Sequence, residues 1–137
     1  MPALDQCHHQ VVRALQKAGW IITNQPYNVS ALDRQVYVDV RAVQSVNGHR
    51  EQILLLEVKC FLDKLSITTE LYIAVGQYIF YRTMLKELND DTPLYLSVPE
   101  TAYVEFFDEI VRRIMRENRI KLLIVDLKTE TIVRWIE

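Results

Sequence analysis

The chain has 137 residues and a net charge of −2, with half of its residues hydrophobic and a quarter charged. That length supports one domain with a proper core, and the charge balance excludes a protein drawn to nucleic acid or anionic membranes by bulk attraction. No apolar run approaches the roughly 20 residues of a membrane span, and the N-terminus lacks a signal-peptide core, so a soluble, cytoplasmic protein is expected.

Helical spacing starts at Asp5 and runs to Ala18, with Val11, Val12, Leu15 and Ala18 on one face and Gly19 as a stop signal. Trp20–Thr23 reads as a short strand, and residues 25–33, holding Pro26, Asn28 and Ser30, read as loop. Two strands follow, Gln35–Ser45 and Arg50–Phe61, joined across Asn47-Gly48. Ser66–Leu88 is the longest expected helix, with Leu71, Val75, Tyr78 and Leu85 on its apolar side. Residues 89–93 are turn chemistry and Leu94–Val98 is a strand. Pro99-Glu100 opens a helical region to about Asn118, and Ile120–Leu127 pairs with Thr131–Ile136 across Lys128-Thr129. The order α-β-β-β-α-β-α-β-β implies an α/β fold with a mixed central sheet flanked by helices. With only three glycines and four prolines, no linker divides residues 1–137. Cys7 falls in the first helix and Cys60 in a core strand, and both are expected as free thiols.

The first hairpin carries the chemistry. Its strands alternate apolar even positions (Val36, Val38, Val40, Ala42; Leu54, Leu56, Val58, Cys60) with odd positions that include Asp39, Glu57 and Lys59. Opposed residues of an antiparallel pair share a face, so matching the apolar faces requires opposed numbers with an even sum. A two-residue Asn47-Gly48 loop gives an odd sum. A three-residue loop of 46–48 with Gly48 in the left-handed region pairs 45 with 49, and puts Asp39 opposite Leu55 and diagonal to Glu57, about 7–8 Å away. Two carboxylates so placed suit a hard divalent cation, Mg²⁺ or Mn²⁺. Lys59 points the same way and is suited to help deprotonate a water and offset charge on a phosphate. The plainer reading is a cross-strand carboxylate–lysine pair on a solvated face. Gln77 and Tyr81, an i, i+4 pair, lie on the next helix, with Glu70 two turns earlier on a similar face.

The arrangement Asp39-x17-Glu57-x-Lys59-x17-Gln77-x3-Tyr81 resembles the PD-(D/E)XK nuclease superfamily, in particular its RecB-like branch. Its Q-x3-Y pair supports the site and contacts DNA. Here Val38, not proline, precedes Asp39. Over essentially the whole chain a closer resemblance is carried by Met1-Pro-Ala3, Asp5 and His8, Val38-Asp39, Glu57-Val-Lys59-x-Phe61 and Gly76-Gln-Tyr78-x2-Tyr81-Arg82. Tyr95-Leu-x-Val-Pro99 and Ile132-Val-x-Trp-Ile136 complete it. These are similar to the XisH family, the fdxN-element excision controlling factors of cyanobacteria. That resemblance implies a restriction-endonuclease-like fold and a role in programmed excision of a DNA element together with a companion protein, XisI. It implies Asp39, Glu57 and Val58 as metal ligands for Mg²⁺ or Mn²⁺, Lys59 as the catalytic lysine with Asp39 and Glu57, and Gln77 and Tyr81 as supporting residues. Two functions stand side by side: a Mg-dependent endonuclease, and a non-catalytic regulator that binds XisI or the recombination machinery. Self-association is left open.

Two further features are ambiguous. Arg112, Arg116 and Arg119, with Arg113 adjacent, form a basic stripe that suits phosphates or an acidic partner, or else a solvated face laced by Asp108–Arg112 and Glu109–Arg113 pairs. His8 shares a face with Val12 and Leu15 and either approaches the site or is a hydrogen-bonded core histidine.

Overall fold

The computed structural model describes residues 6–46, 48 and 50–137. The expected helix start at Asp5, the segment Met1-Pro-Ala3 and the loop residues Asn47 and His49 lie outside them. Regular structure among the described residues begins with α1 (His8–Lys17), β1 (Ile21–Asn24), β2 (Tyr27–Ala31), β3 (Arg34–Val38), β4 (Val40–Val46) and β5 (Arg50–Val58). After a 3-10 turn at Lys64–Ser66 come α2 (Ile67–Glu87), β6 (Leu94–Pro99), α3 (Glu100–Phe106), α4 (Glu109–Glu117), β7 (Lys121–Asp126) and β8 (Thr131–Ile136).

A six-stranded sheet has the order β1-β4-β5-β6-β7-β8, and β2 and β3 form a separate two-stranded sheet. The β5–β6 and β6–β7 pairs are parallel and the others antiparallel. Helix α1 buries Val11, Val12, Leu15 and Trp20 beside it against Val40, Ala42, Leu54, Leu56 and Val58 on one face of the sheet. The other face is covered by α2, α3 and the β2–β3 hairpin, around Leu55, Leu96, Tyr78 and Phe107. As expected, Gly19 ends α1: its φ of +92° is open to glycine without steric cost, and it lets the Trp20 amide donate back to the Leu15 carbonyl.

The element order differs from the expected α-β-β-β-α-β-α-β-β in three places. Residues 27–31, expected as loop, are a strand: Tyr27, Val29 and Ala31 alternate and pair with Val38, Val36 and Arg34. The strand expected to run unbroken from 35 to 45 is split by a bend at Asp39. Val36 and Val38 therefore pack on the α2 side, while Val40 and Ala42 pack on the α1 side, so the even positions do not share one face. The helical region after Pro99 breaks at Phe107 because the Asp108 carboxylate accepts a hydrogen bond from the Val111 amide and caps a new helix.

The β4–β5 register keeps the expected parity but moves by two residues. Val40 opposes Leu56, Arg41 opposes Leu55 and Val46 opposes Arg50, so Asp39 is carried toward Glu57, not Leu55. Gly48 has a φ of +68°. The cysteines, expected as free thiols, form a Cys7–Cys60 disulfide. The start of α1 lands against the end of β5, and both residues are buried there. Beyond Cys60 the chain leaves the sheet through Phe61, whose φ of +51° costs a non-glycine residue about 1–2 kcal/mol. Burial of its ring edge-on to Phe107, 5.7 Å between centroids, offsets that cost.

Candidate functional site

Strand β5 has β4 on one side and β6 on the other, and its last turn of alternation carries the site. Leu55 and Glu57 fall on the α2 face; Leu54, Leu56 and Val58 fall on the α1 face. Glu57 is 4% exposed and Asp39, in the bend between β3 and β4, is 8% exposed. The two hold each other: the Asp39 amide donates to Glu57 Oε1 at 3.3 Å, and the Val58 amide donates to Asp39 Oδ2 at 2.8 Å. Lys59 Nζ stands 3.8 Å from Glu57 Oε2, with only 15% of its side chain exposed. Its amide donates to the Ser97 carbonyl at 3.1 Å, which extends the β5–β6 ladder past the end of β5.

Two adjacent carboxylates in a buried place repel. Burial first, and then the Asp39 charge, push the Glu57 carboxyl up to about 8, with Lys59 pulling the other way. A cation between the two would offset that repulsion. Among the described residues no three His, Cys, Asp or Glu side chains gather as a metal-ligand cluster. A metal here would take Asp39, Glu57 and, from Val58, only the main-chain carbonyl, with water completing its shell. That is a donor set Mg²⁺ accepts.

The Tyr81 phenol on α2 is buried, and burial, then the charges of Glu57 and Asp39, push its pKa up. It therefore lies in the field of both carboxylates and keeps its proton to donate. Gln77, one turn earlier, is half-buried, and its Oε1 is enclosed without a hydrogen-bond partner. His8 is fully buried on the α1 side, where its Nε2 meets Gln25 Oε1 at 3.0 Å. Its Nδ1 is enclosed without a hydrogen-bond partner.

The arginine stripe is partly engaged. Arg113 pairs with Glu109 at 3.4 Å, whereas Arg112 lies over the Tyr103 ring at 4.7 Å, not against Asp108. Arg116 and Arg119 line a groove of about 440 Å³ with Met115 and Lys121. Sequence reasoning passed over Ser97, a buried serine beside Val58 whose hydroxyl has no hydrogen-bond partner. Its signal was there, as the lone polar residue in the apolar run Leu94–Val98.

Comparisons with known proteins agree on one relationship. A family model described as XisH protein matches residues 1–133. No curated protein matches. Two crystal structures are each 36% identical to this chain and cover 97% of it and 100% of their own chains. One, with a TM-score of 0.86, is an XisH family protein from Nostoc punctiforme PCC 73102. The other, with a TM-score of 0.85, is a fdxN element excision controlling factor protein from Anabaena variabilis. With the model matching nearly end to end and the fold shared over the full length of both relatives, this chain belongs to the XisH family.

Proposed function

We propose that the chain serves in the excision of a DNA element as a nuclease-like protein of the PD-(D/E)XK superfamily, with a restriction-endonuclease-like sheet, acting on DNA phosphodiesters through a divalent-metal site. The observation that carries this reading is the buried Asp39–Glu57 pair with Lys59 Nζ 3.8 Å from Glu57. Three ionisable groups in one enclosed place are costly unless a ligand or partner rewards their charged forms.

Asp39 and Glu57 would hold the Mg²⁺ or Mn²⁺, with the Val58 carbonyl as a further oxygen donor. When bound, the cation supplies Lewis-acid activation of water and phosphate. Lys59 places a positive charge where negative charge builds on the phosphate and where an attacking water must lose a proton. Tyr81, kept protonated by its surroundings, and Gln77 steady the carboxylates and meet the DNA backbone from α2.

The test is cleavage of supercoiled and linear DNA with Mg²⁺ or Mn²⁺. Activity that requires the metal and is lost in both Asp39→Asn and Lys59→Ala supports the enzyme. Metal binding without cleavage supports the second reading, a regulator that binds XisI or the recombination machinery. The net charge of −2 favours that reading, since affinity for DNA leans on neutralised phosphates. A protein that neither binds the metal nor cleaves leaves the three residues as a structural ion-pair network and overturns the metal-dependent enzyme.

A further inference from the structure

The outer face of α2 is unlike that of an ordinary surface helix. Its exposed positions from Thr68 to Thr83 carry no charge and include Tyr72 (73% exposed), Ile73, Gly76, Ile79 and Phe80. Beside them the tip of the β2–β3 hairpin presents Leu32, 88% exposed. A groove of about 440 Å³ runs between helix and hairpin, with Leu32, Arg34, Gly76, Ile79 and Phe80 among its lining residues. The Arg34 guanidinium lies 5.5 Å over the Phe80 ring.

This stripe reads the same in both directions. About Gly76, Ile73 mirrors Ile79, Tyr72 mirrors Phe80, and Thr69 mirrors Thr83. A two-fold interface requires that if residue i meets j, then j meets i. An antiparallel pair of α2 helices crossing at Gly76 meets that requirement with aromatic on aromatic, isoleucine on isoleucine and threonine on threonine. The glycine sits where the two backbones come closest. A Cβ built there meets nothing within 4 Å, so the fold of the single chain gives no steric reason for a residue that weakens a helix interior by about 1 kcal/mol relative to alanine. Together with Leu32, the apolar side chains of the stripe expose roughly 500 Å² per copy, at the upper end of patches on monomers and enough for about 1,000 Å² in a pair.

We propose that the α2 face is a self-association surface, and that two copies of this chain pair antiparallel through α2 about a two-fold axis at Gly76. The site residues Gln77 and Tyr81 lie on the inner side of the same helix, so pairing leaves them facing the sheet.

Sedimentation velocity on the full chain, from about 1 to about 100 μM, gives the dissociation constant. The wild type is expected to dimerise within that range. Gly76→Gln should weaken the dimer by about ten-fold or more while raising the melting temperature of the monomer, because the side chain has room in the monomer and none at the axis. Phe80→Glu should weaken it similarly, and Gly76→Cys should give a covalent dimer with glutathione disulfide as oxidant. A wild type that remains monomeric at about 100 μM, in which case the face serves some other partner, overturns the proposal. So does a dimer whose dissociation constant neither Gly76→Gln nor Phe80→Glu changes.

Discussion

Glu57→Gln tests the electrostatics of the site without any assumption about activity. The folded chain holds the Glu57 proton up to about pH 8, whereas the unfolded chain releases it near 4.5. Between those values the folded state binds more protons, so stability falls as the pH rises through the window and returns on acidification. The gap corresponds to about 5 kcal/mol at full effect and about 3 kcal/mol at pH 7. Glutamine keeps an oxygen to accept from the Asp39 amide and cannot ionise. The variant should match the wild type within about 1 kcal/mol near pH 5 and exceed it by about 3–4 kcal/mol near pH 8. Its melting temperature should then be higher by roughly 10 °C. Urea unfolding at a series of pH values measures this directly. Added Mg²⁺ should raise the stability of the wild type near pH 8 and leave the variant unmoved, because a metal rewards only the ionised pair. A stability difference that stays constant from pH 5 to 8, or a variant less stable than the wild type at pH 8, would refute the account of a strained carboxylate pair.

Lys59→Met removes the cation that pulls the Glu57 pKa down, and a carbon-13 NMR titration should show the Glu57 carboxyl titrating higher still. The double variant Cys7→Ser, Cys60→Ser frees a loop whose ends are 53 residues apart, and should lower stability by about 2–4 kcal/mol in denaturant unfolding. An unchanged midpoint would mean the bond constrains nothing. Tyr78→Phe deletes a hydroxyl that donates to the Leu94 carbonyl at 2.6 Å and accepts from the Lys121 amide at 3.2 Å. The main-chain groups left behind should cost about 1–3 kcal/mol, read from the shift in the urea midpoint at constant slope.

Much of this architecture was legible because local signals agreed with one another. The α2 stripe of Leu71, Val75, Tyr78 and Leu85, the strand from Leu94 and the hairpin ending at Ile136 each carry a clear period and punctuation. The parity of the β4–β5 register followed from matching apolar faces alone. Its value did not, because that argument is unchanged when the pairing slides by two residues. The β2 strand was masked by Pro26, Asn28 and Ser30, although Tyr27, Val29 and Ala31 alternate beneath them. The break at Asp39 has no glycine or proline to announce it. It is made by a carboxylate that takes a main-chain hydrogen bond from Val58 on the neighbouring strand, a tertiary contact with no local trace. The Cys7–Cys60 bond likewise depends on where α1 lands, which cysteine positions alone do not reveal. At the site, spacing singled out Asp39, Glu57 and Lys59, whereas Ser97 went unremarked because a single serine in an apolar strand is a weak mark.

The bend at Asp39 gives that residue a second character. Val38, before it, belongs to the small sheet that packs on α2, and Val40, after it, belongs to the six-stranded sheet. Asp39 falls between the registers of the two sheets, and its side chain is fastened to the end of β5. It is the coupling pin between two sheets. Its carboxylate is bonded to the strand that carries Glu57, and its main chain runs on into the hairpin whose tip flanks the outer face of α2. One residue thereby stands where the interior carboxylate pair and the hairpin beside that outer surface meet.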